Sequence, residues 1–145
     1  MITVAQALTI PQLCEESHQT ASDKGWWEEE CNVGEKLMLI VTELAEAMED
    51  VRNSDIDISK MYFEIKDPQF ADEIGRVVPA TDYLWDLFWK NPQHYKPVGF
   101  PSELADVLIR IGDLCGFLGI NLDQAVQAKF VYNKTRKYRH GGKLA

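Results

Sequence analysis

The stretch G-E-K-L-M-L-I-V-T-E-L-A-E-A-M-E-D-V-R, residues 34–52, decides the fold class. Leu37, Val41, Leu44, Met48 and Val51 recur at intervals of three and four, the period of one helix face, and predict a buried stripe. The rest of the circumference is apolar too. Between Leu37 and Met48 the only charges are Glu43 and Glu46, with Met38, Leu39, Ala45 and Ala47 filling other positions. A helix apolar nearly all round is expected to be buried. Two carboxylates three residues apart share a face of it, and their burial is costly unless they are paired or hold a metal ion. Asn53, Ser54 and Asp55 end the segment.

A second helix of the same character is predicted from about Pro101 and Ser102 to Leu118, stopped by Gly119, with Leu104, Leu108, Ile111, Cys115 and Leu118 as its core stripe. Glu103, Asp106 and Asp113 fall on another stripe, which Arg110 shares, beside Ile109 and Phe117. If the two helices pack side by side, Glu43, Glu46, Glu103 and Asp106 converge. Four carboxylate groups suit a hard cation, magnesium or manganese, better than zinc. Either acidic pair alone is usually a solvated helix face. The competing account of the buried set is a charge network neutralised by Arg110 and a lysine, which leaves four acids against one arginine.

Working outward, a first helix is predicted from about Pro11 to Lys24, ended by Gly25. A last one runs from Leu122 to Tyr138, opened by Asn121 with Gln124 as a capping box and closed by Gly141 and Gly142. Residues 53–99 hold Pro68, Pro79, Pro92 and Pro97 and one short helix, Thr81 to Lys90; they read as an insertion, not a second domain. Its Tyr83, Trp85, Leu87, Phe88 and Trp89 are apolar enough to pack on the bundle or on a partner subunit. The chain thus reads as one all-α domain over residues 1–145, a helical bundle interrupted by an inserted segment.

Composition narrows the function classes. With 46% hydrophobic and 26% charged residues the chain is globular. A net charge of -8 argues against a nucleic-acid polymer as partner, since phosphate backbones need clustered Lys and Arg. Lys129, Lys134, Arg136, Lys137, Arg139 and Lys143 nonetheless gather near the C-terminus; they either meet a small phosphorylated ligand or form a solvated tail. Cys14, Cys31 and Cys115 suggest neither a disulfide framework nor a zinc site, which fits a reducing, cytoplasmic location. No apolar run spans a bilayer, and the segment Met1 to Ile10 lacks the basic start of an export signal. Trp26 and Trp27, just past Gly25, offer a flat surface for a nucleobase, with at least one of them expected in the core. His18 and Cys31 are candidates to line the same pocket.

L-I-V-T-E-L-A-E-A (39–47), E-L-A-D-V-L-I-R-I (103–111) and G-I-N-L-D-Q-A-V-Q-A-K-F-V-Y-N-K-T-R (119–136) together resemble the MazG-like all-α nucleoside triphosphate pyrophosphohydrolases. The likeness covers about Gly25 to Gly142 apart from the insertion. It implies magnesium ligation by Glu43, Glu46, Glu103 and Asp106, with manganese as a substitute. It implies that Lys129 and Asn133 reach the substrate's phosphates or sugar, with Arg136, on the same helix face, as a further phosphate contact. It also implies a homodimer or a tetramer of dimers. Two features depart from the pattern: Thr42 stands where many members carry another Glu, and 56 residues separate Glu46 from Glu103. A long surface insertion costs little in loop-closure entropy, so the helix pairing is expected to survive it.

The expected chemistry is metal-assisted attack of water at the α-phosphorus of a nucleoside triphosphate, releasing monophosphate and pyrophosphate, with Glu43 or Glu46 taking the proton. A nucleoside diphosphate or another phosphoanhydride would fit the same carboxylates, which do not read the base. The reading from another class is a non-enzymatic helical module that binds through the aromatic insertion.

Overall fold

A computed structural model describes residues 6–138. Arg139 and Lys143 of the basic cluster, the Gly141-Gly142 stop and residues 1–5 of the first segment lie outside the described residues. In chain order the elements are α1 (Ile10–Asp23), α2 (Val33–Arg52), β1 (Tyr62–Ile65), α3 (Pro68–Ile74), β2 (Val77–Pro79), α4 (Asp82–Lys90), a 3-10 turn (Pro92–His94), β3 (Tyr95–Val98), α5 (Phe100–Leu118) and α6 (Leu122–Thr135).

The helix ends follow their local chemistry. Thr9 caps α1 through a complete capping box: its hydroxyl accepts from Gln12 N at 3.2 Å while Thr9 N donates to Gln12 Oε1 at 2.9 Å. The Asn32 side chain accepts from Gly34 N at 2.7 Å to open α2, and Asn121 Oδ1 accepts from Gln124 N at 3.0 Å to open α6. Gly119 closes α5 in the left-handed conformation. The last helix ends at Thr135, three residues before the expected Tyr138.

Helix α5 is the spine, with α1 and α2 packed along it and α6 resting on α1. The α1 and α5 backbones approach so closely that a Cβ on Gly116 would lie 2.5 Å from the His18 Cβ, and one on Gly112 would lie 3.1 Å from the Leu13 carbonyl oxygen. Side chains at those two positions would separate the helices.

The expected core stripes do not face this packing. Leu37, Val41, Leu44, Met48 and Val51 are each 47–51% exposed, and on α5 Leu104, Leu108 and Leu118 are exposed as well. The α2 face that meets α5 carries Lys36, Ile40, Glu43, Ala47 and Asp50, one residue back in the helical sequence and so rotated by about a quarter turn. On α5 the expectation holds for Cys115, which is buried, and for Ile111, which is half-buried. The polar stripe thus lies between the helices while much of the apolar surface points outward.

The insertion adds a small sheet to the expected all-α architecture. The fold is mostly helical, but β1 pairs antiparallel with both β2 and β3 to form a sheet of order β2-β1-β3. Phe63 and Ile65 on β1, Leu84 on α4 and Tyr95 on β3 make a core of their own, joined by Phe70, Val78, Trp85, Leu87 and Phe88. Of the four aromatic residues singled out in the insertion's sequence, Trp85 and Phe88 pack against this core, while Tyr83 and Trp89 remain exposed. The module is tied to the N-terminus of α5. Gly99 holds φ at +100°, and a Cβ there would press on Tyr62 Cδ1 at 3.2 Å; Ser102 Oγ donates to the Pro97 carbonyl at 3.1 Å.

Candidate functional site

Helices α2 and α5 bring the predicted acids together. Carboxylate oxygens of Glu43, Glu103 and Asp106 all lie within 4.8 Å of one another. Glu43 is buried, Glu103 half-buried and Asp106 more open. Glu46, exposed one turn along, stands outside that trio but shares a hydrogen bond with Glu103. Asp50, one further turn along, completes the acidic face; its Oδ2 is buried and has no hydrogen-bond partner.

The electrostatic state of these groups follows from crowding. Burial, the hydrogen bond that the protonated Glu103 donates to Glu46, and the charges of Glu46, Asp106 and Asp50 push the Glu103 carboxyl up to about 7. Burial and the neighbouring Glu43 and Glu46 raise Asp106, against the opposing pull of Arg110 and Lys96. Burial and Glu46 raise Asp50. One arginine does engage the set, as the charge-network account requires: Arg110 Nε donates to Glu43 Oε1 at 2.5 Å. A single guanidinium leaves the other carboxylates crowded, and an all-oxygen donor set with surplus negative charge suits a hard divalent cation.

A cleft of about 290 Å³ opens beside these acids between α1, α2 and α5. Glu43, Asp106 and Asp113 line one part of it, Lys24, Lys36 and Arg110 bring positive charge, and Trp26 forms a wall. Sequence reasoning missed Lys36 and Asp50. The signal was present, because positions 36, 43, 47 and 50 repeat with helical spacing on a single face. Lys24 carried no such signal, since it enters the cleft through the turn after α1.

The two tryptophans separate cleanly. Trp26 is 68% exposed and lines the cleft. Trp27 is stacked on Phe117 at 3.9 Å, has Lys36 Nζ 4.3 Å from its ring centroid and donates from Nε1 to Asp113 Oδ1 at 2.8 Å. Its polar edge and both faces are thus engaged. His18 bonds the same Asp113 oxygen through Nδ1 at 3.0 Å, which fixes the ring against Trp27. Cys31 is half-buried and is not among the residues that line the cleft.

The α6 residues are not brought to the acids. Lys129, Asn133 and Arg136 are exposed, and the Lys129 and Arg136 cations lie 5.6 Å and 5.9 Å from the Tyr132 ring. None of them lines the cleft. Cys14 and Cys115 are buried where α1 crosses α5, both thiols pushed up chiefly by burial, and all three cysteines are free. No helix among the described residues is long and apolar enough to cross a membrane.

No family model matches the chain, and neither a curated protein nor a solved structure matches it.

Proposed function

We propose that the chain is a magnesium-dependent nucleoside triphosphate pyrophosphohydrolase of the MazG-like type, releasing nucleoside monophosphate and pyrophosphate. The observation that carries this reading is the convergence of Glu43, Glu103 and Asp106, from motifs 56 residues apart, beside a cleft that also holds cations and an aromatic wall. Acids held together only by chance would be relieved by solvent; here one is buried and another is pushed to about 7.

In this reading Glu43, Glu103 and Asp106 hold the cation, and Glu46 joins them or takes the proton of the attacking water. Magnesium, or manganese in its place, supplies Lewis-acid charge and makes bound water nucleophilic at neutral pH. The side chains do the rest. Arg110, Lys36 and Lys24 offset the charge of the phosphates, which an acidic cleft would otherwise repel. Trp26 offers its face to the base. Lys129, Asn133 and Arg136 contribute only if a neighbouring subunit brings them to the cleft, which fits the homodimer or tetramer of this proposal and the exposed apolar stripes of α2 and α5. A cytoplasmic location accords with the free cysteines.

For the non-enzymatic module, Trp85 and Phe88 pack partly buried against the insertion's core, and Tyr83 and Trp89 remain as its exposed aromatic surface. Pyrophosphate release from nucleoside triphosphates with and without magnesium tests the proposal. Turnover should require the metal and fall by at least a hundredfold, about 3 kcal/mol of activation free energy, in Glu103→Gln. Full activity in that variant, with its helicity intact, would remove Glu103 from the site.

A further inference from the structure

The cleft holds one acid that the metal site leaves unused. Asp113 lines it together with Glu43 and Asp106, but stands two helical turns beyond Asp106 on the same face of α5, about 10 Å along the axis. That separation leaves room for a sugar between a phosphate at the metal-binding acids and a base beside Asp113. At about 290 Å³ the cleft is at the small end of ligand sites, so a base stacked on Trp26 would be within reach of Asp113.

The Asp113 carboxylate is aimed by its neighbours. Trp27 Nε1 donates to its Oδ1 at 2.8 Å, and His18 Nδ1 bonds the same oxygen at 3.0 Å. Trp27 is in turn held between Phe117 and Lys36. Both bonds end on Oδ1. Among the described residues Oδ2 takes no hydrogen bond, and it is not shut away from solvent as Asp50 Oδ2 is. One acceptor oxygen is thus fixed in place and left open on the wall of the cleft.

We propose that Asp113 reads the base, its Oδ2 accepting a hydrogen bond from an exocyclic amino group, so that the cleft takes a nucleoside triphosphate of cytosine or adenine over its oxo counterpart. This rests on the metal-dependent nucleotide reading above. A carboxylate only accepts, and an amino group donates to it; an oxo oxygen in the same place has no hydrogen to give. Ser17 and Thr20, which also line the cleft, can donate or accept and so distinguish neither. Lys24, Lys36 and Arg110 only donate, and in that reading they serve the phosphates.

The test is equilibrium binding by the full chain, with Mg2+, of non-hydrolysable α,β-imido triphosphates related by an amino-for-oxo exchange. The pairs are cytidine against uridine and adenosine against inosine, each in ribose and deoxyribose form. Wild type should favour the amino-bearing member of at least one pair by about tenfold or more, because the oxo analogue leaves Oδ2 unpaired. In Asp113→Asn, Trp27 and His18 hold the amide oxygen, so the NH2 group takes the place of Oδ2 and the preference should invert. Equal affinities within both pairs, or a preference for the oxo member, in wild type overturn the proposal and leave the triphosphate reading standing. So does an Asp113→Asn variant that loses affinity for both members alike, the result of a merely structural Asp113. Wild type that binds none of the analogues in the presence of Mg2+ would remove the nucleotide reading itself and this proposal with it.

Discussion

At the scale of single residues, the site is dominated by like charges held closer than water would allow. Glu103 shows the consequence most plainly, its carboxyl moved from an ordinary 4.5 to about 7. A carboxyl whose folded pKa is raised binds its proton more tightly in the folded chain. Its contribution to stability is therefore greatest below pH 4.5 and is lost as pH rises toward 7 and beyond. In metal-free protein the thermal midpoint should fall between pH 5 and pH 8, and Glu103→Gln should flatten that fall, since its side chain carries no proton to lose. Magnesium should restore the wild-type midpoint at pH 8 by binding the folded state alone. Thermal unfolding across that pH range, with and without the metal, checks all three. A midpoint difference between wild type and Glu103→Gln that does not change with pH would contradict the assignment.

At the scale of elements, the chain is two constructions joined at α5. The helical part depends on the close approach of α1 and α5 over Gly112 and Gly116, and the inserted part depends on Phe63, which is fully buried. Phe63→Ala should cost about 3–5 kcal/mol of the insertion's packing. Limited proteolysis should then cut within 62–98 while the circular dichroism of the long helices persists; uniform unfolding would mean that the two parts fold as one. The long helices were legible in the sequence because periodicity over fourteen or more residues, with a cap at Asn121, leaves little ambiguity. The inserted sheet was not. Its strands are three or four residues long, too short for alternation to emerge, although Tyr62–Ile65 does alternate in burial. Helix α3 carried a usable start, Asp67 capping and Pro68 in the first turn, but its seven residues show no clear stripe. The acidic trio of Glu43, Glu103 and Asp106 was legible because carboxylates on largely apolar helices need a reason to be there, whereas the expected fourth, Glu46, stands outside it. Lys24 was not legible, because the turn after α1 brings it into the cleft and its position does not follow from helical spacing.

At the scale of the whole molecule, the apolar stripes assigned to the core from sequence point away from it. The periodicity was real, but apolar spacing identifies a face that seeks cover, not the chain that covers it. The chain exposes 10876 Å², where a compact monomer of its 16.6 kDa exposes about 7,600 Å². A stable subunit interface would bury part of that excess. Light scattering should report a multiple of 16.6 kDa. Charges placed on both stripes, Leu44→Glu with Leu108→Glu, should return the mass to that of one chain with helicity retained. A monomeric wild type would show that these faces are simply exposed.

The bond that breaks tests the central claim most directly. With magnesium, a nucleoside triphosphate hydrolysed in oxygen-18 water should yield monophosphate and pyrophosphate in equal amounts, with the heavy oxygen in the monophosphate. That outcome requires attack at the α-phosphorus beside Glu43, Glu103 and Asp106. Label confined to pyrophosphate, release of diphosphate with orthophosphate, or no magnesium-dependent turnover of any triphosphate would contradict it.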